Sequence, residues 1–278
     1  MAIEKAVILA GGLGKRMRRP EAGAAAVSLG TEAQALADRG LKGLIPLMGK
    51  PLLDYVVGSL MGVGVRRLCL VVAPQADELR SYARRASELT EARVTCAVQQ
   101  EPRGTADALL AAEDFAAGAP FIMCNSDNLY PPGALRALAA QQGSECWLAA
   151  FDSGALVRLG NISAERVRAF AVILAAPDGR LLDIVEKPEE PERYMREGRL
   201  WLGMNLYRFS SEIFDACRAV EPHPQRGELE LTSAVARLAR GGEGPVRVAF
   251  SEEGVLDLTS RGDVAAAERL IERFRPEP

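Results

Sequence analysis

The first half of the chain alternates short apolar runs with longer amphipathic stretches, and this alternation restricts the fold more than any other feature. Apolar runs typical of buried strands occur at Ala6–Ala10, Leu68–Ala73, Val94–Val98 and Phe121–Cys124. Apolar residues recur at helical spacing between them, in Leu52–Val63, Asp77–Leu89 and Ala106–Ala117. Repeated strand–helix–strand units predict an α/β fold with a mixed, mostly parallel sheet flanked by helices. Ligands of such sheets bind beyond the carboxyl ends of the strands.

The second half is richer in β-strands. The stretch "FAVILAAPDGRLLDIVEKP" contains two β-rich runs joined by Pro177-Asp178-Gly179, which predicts a hairpin. The patterns that follow predict a strand at Leu202–Phe209 and helices at Ser211–Val220, Glu228–Arg240 and Asp263–Phe274. No hinge-like linker separates the halves, so we predict one domain over residues 1–278, with halves at about 1–150 and 151–278.

Charge and cysteine content exclude several classes of protein. A net charge of −3 leaves no broad basic face, which argues against nucleic acid as a partner. Five widely spaced cysteines predict reduced, packed thiols in a cytoplasmic protein, not disulfides or a zinc site. The short N-terminal apolar stretch does not predict a signal peptide, and no run has the length of a bilayer, so we expect no membrane association.

A glycine loop with Gly11, Gly12 and Gly14 follows the first predicted strand, and Lys15 and Arg16 lie at its exit. The loop lacks the third glycine of a dinucleotide fingerprint, which argues against a nicotinamide-dependent dehydrogenase, and it lacks the spacing of a Walker loop. Backbone amides in such a loop bind anions, so we interpret it as a different kind of phosphate loop. A simple turn with two solvated cations is the alternative.

The next segment, residues 18–40, is rich in alanine, glycine and charge. It predicts a surface excursion with a short helix near Glu32–Asp38 that is mobile when no ligand is bound. Lys42 then lies among Leu41, Leu44 and Ile45. We interpret Lys42 as a cation returned to the glycine loop; the alternative is a solvated lysine at a strand edge.

Two aspartates come at the ends of apolar runs. Asp127 follows the run Phe121–Cys124, where a carboxylate can bind Mg²⁺ that also contacts a phosphate. The alternative is that Asp127 forms an Asx turn or a helix cap. Asp257 lies between Leu256 and Leu258, where burial requires a partner or a metal; the alternative is a strand end facing water. We also predict that Thr259 or Ser260 caps the last helix.

Two polar stretches fit a ligand less specifically. In "QQEPRGTADALL", Gln99 and Gln100 suit a base edge, Gly104 permits close approach, and Thr105 is predicted to cap the next helix. A capped turn explains all but the paired glutamines. Glu186 and Lys187 leave the hairpin where they suit a sugar and its phosphate, although exposed pairs of this kind are common. His223, the sole histidine, lies between two prolines, which argues against histidine-based catalysis.

Taken together, the chain resembles the sugar-1-phosphate nucleotidylyltransferases. The resemblance rests on collinear stretches that cover nearly the whole chain: "ILAGGLGKRM", "LKGLIPLMGKPLLDY", "QEPRGTADALL", "NSDN", "VEKP", "GMNLYRFSSEIF", "GELELTSAV" and "LDLTS". It implies a Rossmann-like domain whose first half binds a nucleotide and whose second half binds a sugar phosphate. The chain differs from the usual family pattern at Leu41, at Val255, in "NSDN" and in the length of the excursion.

The resemblance assigns roles residue by residue. Arg16 and Lys42 are the implied catalytic cations, and Asp127 and Asp257 the implied Mg²⁺ ligands. The implied nucleotide-binding residues are Leu9, Gly11, Gly12, Gly14, Lys15, Gln99, Gly104 and Thr105. The implied sugar-phosphate contacts are Glu186, Lys187, Asn205 and Glu228.

The implied reaction joins a nucleoside triphosphate, with UTP or dTTP favoured, to a sugar 1-phosphate, with glucose 1-phosphate favoured. Four alternatives stay open: guanylyl transfer to mannose 1-phosphate, cytidylyl transfer, transfer to an unusual sugar or cyclitol phosphate, and a non-catalytic nucleotide-sugar regulator. Relatives are usually dimers or tetramers, so the resemblance also allows a homo-oligomer.

Overall fold

The computed structural model describes residues 3–12, 14–18, 30–241 and 246–274. Its strands are β1 (Lys5–Leu9), β2 (Pro46–Leu47), β3 (Lys50–Pro51), β4 (Arg67–Val72), β5 (Arg93–Val98), β6 (Phe121–Asn125), β7 (Asn128–Leu129), β8 (Trp147–Asp152), β9 (Ala171–Ala175), β10 (Leu181–Val185), β11 (Trp201–Phe209), β12 (Arg247–Ser251) and β13 (Leu256–Asp257). Its helices are α1 (Lys15–Arg18), α2 (Thr31–Arg39), α3 (Leu52–Gly62), α4 (Asp77–Leu89), α5 (Thr105–Leu110), α6 (Glu113–Ala116), α7 (Pro132–Ala139), α8 (Ser153–Leu159), α9 (Glu212–Arg218), α10 (Leu231–Gly241) and α11 (Gly262–Leu270).

Nine of the described strands form one mixed sheet, in which β10, β9, β11, β6, β1, β4 and β5 follow one another and β8 joins β11 to β12. The pairings orient seven strands in one direction, with β10 and β11 opposed to them. The prediction of a mostly parallel sheet is therefore confirmed. Strand β11 links the halves, because it pairs with β6 from the first half, with β8 at the boundary and with β9 from the second half.

Apolar clusters cover both faces of the sheet, as predicted. One face packs under helices that include α3, α4, α7 and α11, and the other under α5, α9 and α10. The apolar runs of β1, β4 and β6 are almost fully buried, because parallel strands are covered on both faces, whereas β5 at the edge of the sheet is mostly half-buried. The hairpin of β9 and β10 forms as predicted around Gly179, which has φ of 81°.

Several predicted boundaries are wrong. The helix predicted at Ala106–Ala117 is split into α5 and α6, because the Ala112 amide bonds the carbonyl of Leu109, three residues back, and tightens the turn. Helix α10 begins at Leu231, not Glu228, because the segment before it lies extended against the start of α5: Leu229 N donates to Arg103 O at 2.7 Å. Helix α11 ends at Leu270 and continues as a tighter turn through Phe274.

The helix expected near Glu32–Asp38 is present as α2, which ends at Gly40 with φ of 73°. The preceding part of the excursion, residues 19–29, lies outside the described residues, so its predicted mobility stays a prediction.

Candidate active site

A cleft of about 540 Å³ opens at the carboxyl ends of the parallel strands, between the glycine loop and the second half of the chain. Leu9 and Asn125, the last residues of β1 and β6, both line it. This is the sheet edge where ligands of parallel α/β folds bind. The cleft brings together Leu9, Gly11, Gly12, Gly14, Arg16, Lys42, Gln99, Gly104, Thr105, Asp127, Lys187 and Glu228 from the predicted set.

The glycine loop is held against the end of α2. Gly14 has φ of 57°, and a Cβ added there would lie 2.6 Å from the Cα of Gly40. Only glycine therefore fits at this position, both for its backbone conformation and for the close approach. Gly12 has open space around it, and Arg16 is exposed on α1. The side chain of Lys15 lies outside the described part of the structure.

Lys42 and Asp127 form an ion pair inside the cleft. Lys42 Nζ donates to Asp127 Oδ2 at 2.6 Å, and the side chains are 16% and 24% exposed. Lys42 begins a short turn after α2, and Asp127 follows β6, so the two charges come from elements 85 residues apart. A paired lysine and carboxylate that are both open to solvent can exchange partners with an incoming anion and cation.

The pairing of β13 with β7 brings the backbone of Asp257 close to that of Asp127, but the two side chains have different environments. Strands β7 and β13 pair antiparallel, which sets Asp257 opposite Asn128. The carboxylate accepts from Arg166 Nη2 at 2.8 Å, from Asn128 Nδ2 at 3.2 Å and from the Thr259 hydroxyl. Asp257 is not a lining residue of the cleft, and its side chain is 8% exposed.

Arg166 also bonds Asp263, at 2.7 Å from Nη1 to Oδ1. Burial raises the pKa of Asp263, and the charge of Asp257 acts in the same direction. Oδ2 of Asp263 accepts from the backbone N–H groups of Thr259 and Ser260. The prediction that a Thr259 or Ser260 side chain caps the last helix is wrong, because neither hydroxyl accepts from a helical N–H: that of Thr259 donates to Asp257 and that of Ser260 to Asp263.

The segment after β5 also lines the cleft. Gly104 has φ of 124°, and a Cβ there would lie 2.4 Å from the carbonyl oxygen of Leu229, so the position requires glycine. The prediction that Thr105 caps its own helix is wrong. Its hydroxyl instead accepts from the Leu231 N–H at 2.9 Å, at the start of α10. These contacts hold the second half of the chain against the first.

The predicted sugar-phosphate residues divide into two groups. Lys187, with φ of 41°, and Glu228 line the cleft. Glu186 and Asn205 do not line it. Asn205 lies in the irregular part of β11 with φ of 56°, a conformation that asparagine tolerates, and its Oδ1 accepts from the Tyr207 hydroxyl at 3.5 Å.

Sequence reasoning did not single out Arg226 and Glu230, which flank the predicted Glu228. The two form an ion pair, and Oε2 of Glu230 is buried without a hydrogen-bond partner. Burial raises the pKa of Glu230, and the charge of Glu186 raises it further. A second glutamate two residues after Glu228 in "GELE" was the available signal.

The acidic residues fit a metal only in part. Within residues 3–12, 14–18, 30–241 and 246–274, no three His, Cys, Asp or Glu side chains form a metal-binding group. Mg²⁺ commonly takes one or two carboxylates together with substrate phosphates, and Asp127 suits that arrangement. Asp257 would have to exchange bonds that it already makes. Its role as a metal ligand stays a prediction.

No helix in the described part of the chain is long and apolar enough to cross a membrane. The five cysteines are all free and at least half-buried, as predicted, and burial raises the pKa of Cys124 to about 12.

Comparison with known families gives the site its context. The profile of the family described as "Nucleotidyl transferase" matches residues 29–269. The chain belongs to this family. It is 28% identical over 239 residues to a low-salt glycan biosynthesis nucleotidyltransferase of Haloferax volcanii, which covers 86% of the chain. The chain spans only 58% of the length of that relative.

Two other relatives match a larger share of their own length. A UTP–glucose-1-phosphate uridylyltransferase of Haloferax volcanii is 27% identical and matches over 78% of this chain and 82% of its own. A glucose-1-phosphate thymidylyltransferase of Actinoplanes sp. is 28% identical and matches over 98% of this chain and 78% of its own.

Among solved structures, a UDP-glucose pyrophosphorylase complexed with UDP-glucose superposes with a TM-score of 0.74. The match covers 98% of this chain and all of that one, at 18% identity, and it establishes the shared fold.

Proposed function

We propose that this chain transfers a nucleotidyl group from a nucleoside triphosphate to a sugar 1-phosphate, giving a nucleotide-sugar and pyrophosphate. The single observation that carries the proposal is the Lys42–Asp127 pair at the glycine loop, in a cleft that Lys187 and Glu228 of the second half also line. UTP or dTTP is the favoured nucleotide and glucose 1-phosphate the favoured sugar phosphate. The names of the uridylyl- and thymidylyltransferase relatives support that choice.

The reaction needs no general base, because an oxygen of the sugar phosphate is already an anion that can attack the α-phosphorus. The P–O bond to the β-phosphate breaks as the new one forms, and pyrophosphate leaves. The barrier lies in bringing two anions together, so catalysis consists of charge neutralisation and in-line positioning. A cleft with cations and glycine amides suits this chemistry.

Each residue then has a defined task. Amides of the glycine loop bind the triphosphate, and Arg16 at its exit neutralises charge on the leaving pyrophosphate. Lys42 moves from Asp127 to the α-phosphate, where it stabilises the negative charge of the transition state. Lys187 binds the sugar phosphate, and Glu186, Glu228 and Asn205 are the proposed sugar contacts.

A divalent metal would complete this charge balance. Asp127 is the residue best suited to hold Mg²⁺, with Asp257 beside it in the backbone. When bound, the ion supplies Lewis-acid neutralisation of phosphate oxygens. Asp127, released from Lys42, would then face a cation again.

The test is pyrophosphate release from matched panels of nucleoside triphosphates and sugar 1-phosphates in the presence of Mg²⁺. We expect release with UTP or dTTP and glucose 1-phosphate, and the nucleotide-sugar as the second product by mass spectrometry. Release with GTP and mannose 1-phosphate alone would identify a guanylyltransferase. Nucleotide binding without release from any pair would identify a non-catalytic regulator.

A further inference from the structure

Gln99 is buried at the carboxyl end of β5 and lines the cleft. Its Nε2 donates to the carbonyl oxygen of Gly104 at 3.0 Å and to Oδ2 of Asp107 at 2.9 Å. A carbonyl and a carboxylate can only accept hydrogen bonds. The amide nitrogen must therefore occupy this position, and both of its hydrogens are used there.

The other end of the amide faces the glycine loop. A Cβ added at Gly11 would lie 3.5 Å from Oε1 of Gln99, so the oxygen lies beside the loop backbone. Leu79 and Ala108, which also line the cleft, supply apolar neighbours on this wall. Gln99 thus presents a hydrogen-bond acceptor, and no donor, to a flat ligand lying between the glycine loop and α5.

An acceptor of this kind distinguishes bases by the proton on their ring nitrogen. Uracil and thymine carry a hydrogen on N3, which can donate to Oε1. Cytosine has a lone pair on N3, which would face the lone pairs of Oε1 and leave both atoms without a partner. Leaving a buried polar atom unpaired costs about 1–3 kcal/mol, or roughly five- to 150-fold in affinity.

We propose that Asp107 is a positioning residue for base selectivity: by holding Nε2 of Gln99, it fixes Oε1 as an acceptor toward uracil or thymine and against cytosine. This inference rests on the proposed function, because it places the base of the nucleotide on this wall. Asp107 itself is half-buried at the third position of α5 and lies outside the cleft lining. It acts through Gln99.

The first test uses the unmodified full chain and needs no variant. Calorimetry measures the dissociation constants of UTP, CTP and 3-methyl-UTP, whose N3 carries a methyl group in place of hydrogen. We expect CTP and 3-methyl-UTP each to bind at least tenfold more weakly than UTP. Equal affinity of UTP and CTP, or of UTP and 3-methyl-UTP, overturns the proposal.

The second test isolates Asp107. In Asp107→Asn, the new amide can donate as well as accept, so only the Gly104 carbonyl still selects Nε2, and the rotated form of Gln99 that donates to cytosine becomes more populated. We expect the ratio of CTP to UTP dissociation constants to fall at least fivefold. Asp114→Asn is the matched control, because Asp114 is an exposed carboxylate on α6 outside the cleft, and its ratio should equal that of the parent.

The outcomes separate Asp107 from general folding and from the proposed function. A ratio in Asp107→Asn equal to that of the parent overturns the role of Asp107. If thermal melting shows that this variant is unfolded, Asp107→Ser takes its place, because a serine hydroxyl can also donate as well as accept, and the same fall in the ratio is expected. Selective binding of UTP without pyrophosphate release contradicts the proposed function and leaves the inference standing. Pyrophosphate release from UTP and CTP at equal efficiency supports nucleotidyl transfer and overturns the inference.

Discussion

Two cation–aspartate pairs lie near the carboxyl edge of the sheet, and they differ in surroundings more than in chemistry. Lys42 and Asp127 both line the cleft, and Lys42 donates a hydrogen bond to the Asp127 carboxylate. Arg166 and Asp257 are embedded, and Asp257 also bonds Asn128 and Thr259. Arg166 bonds a second carboxylate, Asp263.

The difference assigns a different role to each pair. A pair that a ligand can reach, with few other bonds, can open at low cost and take part in chemistry. A pair with a closed set of partners is costly to break, since removing one charge leaves the other buried and unpaired. We therefore expect Lys42 and Asp127 to determine activity, and Arg166 and Asp257 to determine stability.

Lys42→Ala gives the largest expected effect on activity. Turnover should fall on the order of 10²–10³-fold, by analogy with the loss of one transition-state donor. The free energy of unfolding should fall by only about 1 kcal/mol, because the Asp127 carboxylate is 24% exposed at the cleft and is hydrated there when its partner is removed. Steady-state pyrophosphate release and urea unfolding measure the two quantities.

Lys50→Ala is the control, since Lys50 is exposed on β3 and does not line the cleft. It should retain parental turnover. A loss below about threefold in Lys42→Ala would remove Lys42 from catalysis, because that is far below the effect of a lost donor.

Arg166→Met addresses the embedded pair. It should lower the free energy of unfolding by about 2–3 kcal/mol, somewhat less than a fully buried pair because the Arg166 side chain is 23% exposed. Arg168→Met is the control two residues away, because Arg168 pairs with Glu192 at the surface, and its effect should stay within about 0.5 kcal/mol. Equal free energies of unfolding for Arg166→Met and Arg168→Met would contradict the stabilising role of the Arg166–Asp257 pair.

Replacing each aspartate with asparagine sharpens the comparison through the metal. Asp127→Asn should raise the Mg²⁺ concentration for half-maximal activity on the order of tenfold, as expected for a weakened metal site. Asp257→Asn should shift it less, because Asp257 already has three side-chain partners. Mg²⁺ titrations of both variants give the answer. Equal shifts would mean that Asp257 exchanges Arg166 for the ion.

The smallest effect is a pH dependence that originates in the embedded pair. The pKa of Asp263 is raised above its ordinary value of 3.8, chiefly by burial. Between its unfolded and folded pKa values the native state binds more protons, so stability is present at low pH and lost as pH rises through the folded pKa. Relative to Asp263→Asn, the parent should therefore lose unfolding free energy as pH rises above about 4. Urea unfolding across this range measures the difference, and an increase would contradict the buried environment.

The first half of the fold is predictable from sequence because its signals are local. Strands β1, β4 and β6 contain continuous apolar runs, as burial on both faces requires, and α3 and α4 are amphipathic. Strand β8 could not be predicted in the same way, because it is rich in alanine and is held as a strand by its pairing with β11 and β12. Helix α7 was missed because Pro131-Pro132 resembles a turn, although Pro132 is well suited to the first helical position.

The same limit applies to the site. The glycine loop and Lys42 could be found because their residue types are unusual where they occur. The partners of Asp257 and Thr105 could not. Arg166 lies 91 residues from Asp257, and Thr105 lies 126 from Leu231. Such contacts are set by the assembled sheet and leave no local pattern.

The short helix α1, which carries Arg16, is held by a residue from the far end of the chain. Arg261 donates to the carbonyl oxygens of Met17 and Arg18 and to Asp38 on α2. Arg18 and Arg261 are 243 positions apart, which a ribosome covers in about 10–50 s. During synthesis, the first segment of the site to emerge therefore waits for nearly the last, and a nascent chain without Arg261 lacks these hydrogen bonds to the helix that presents Arg16.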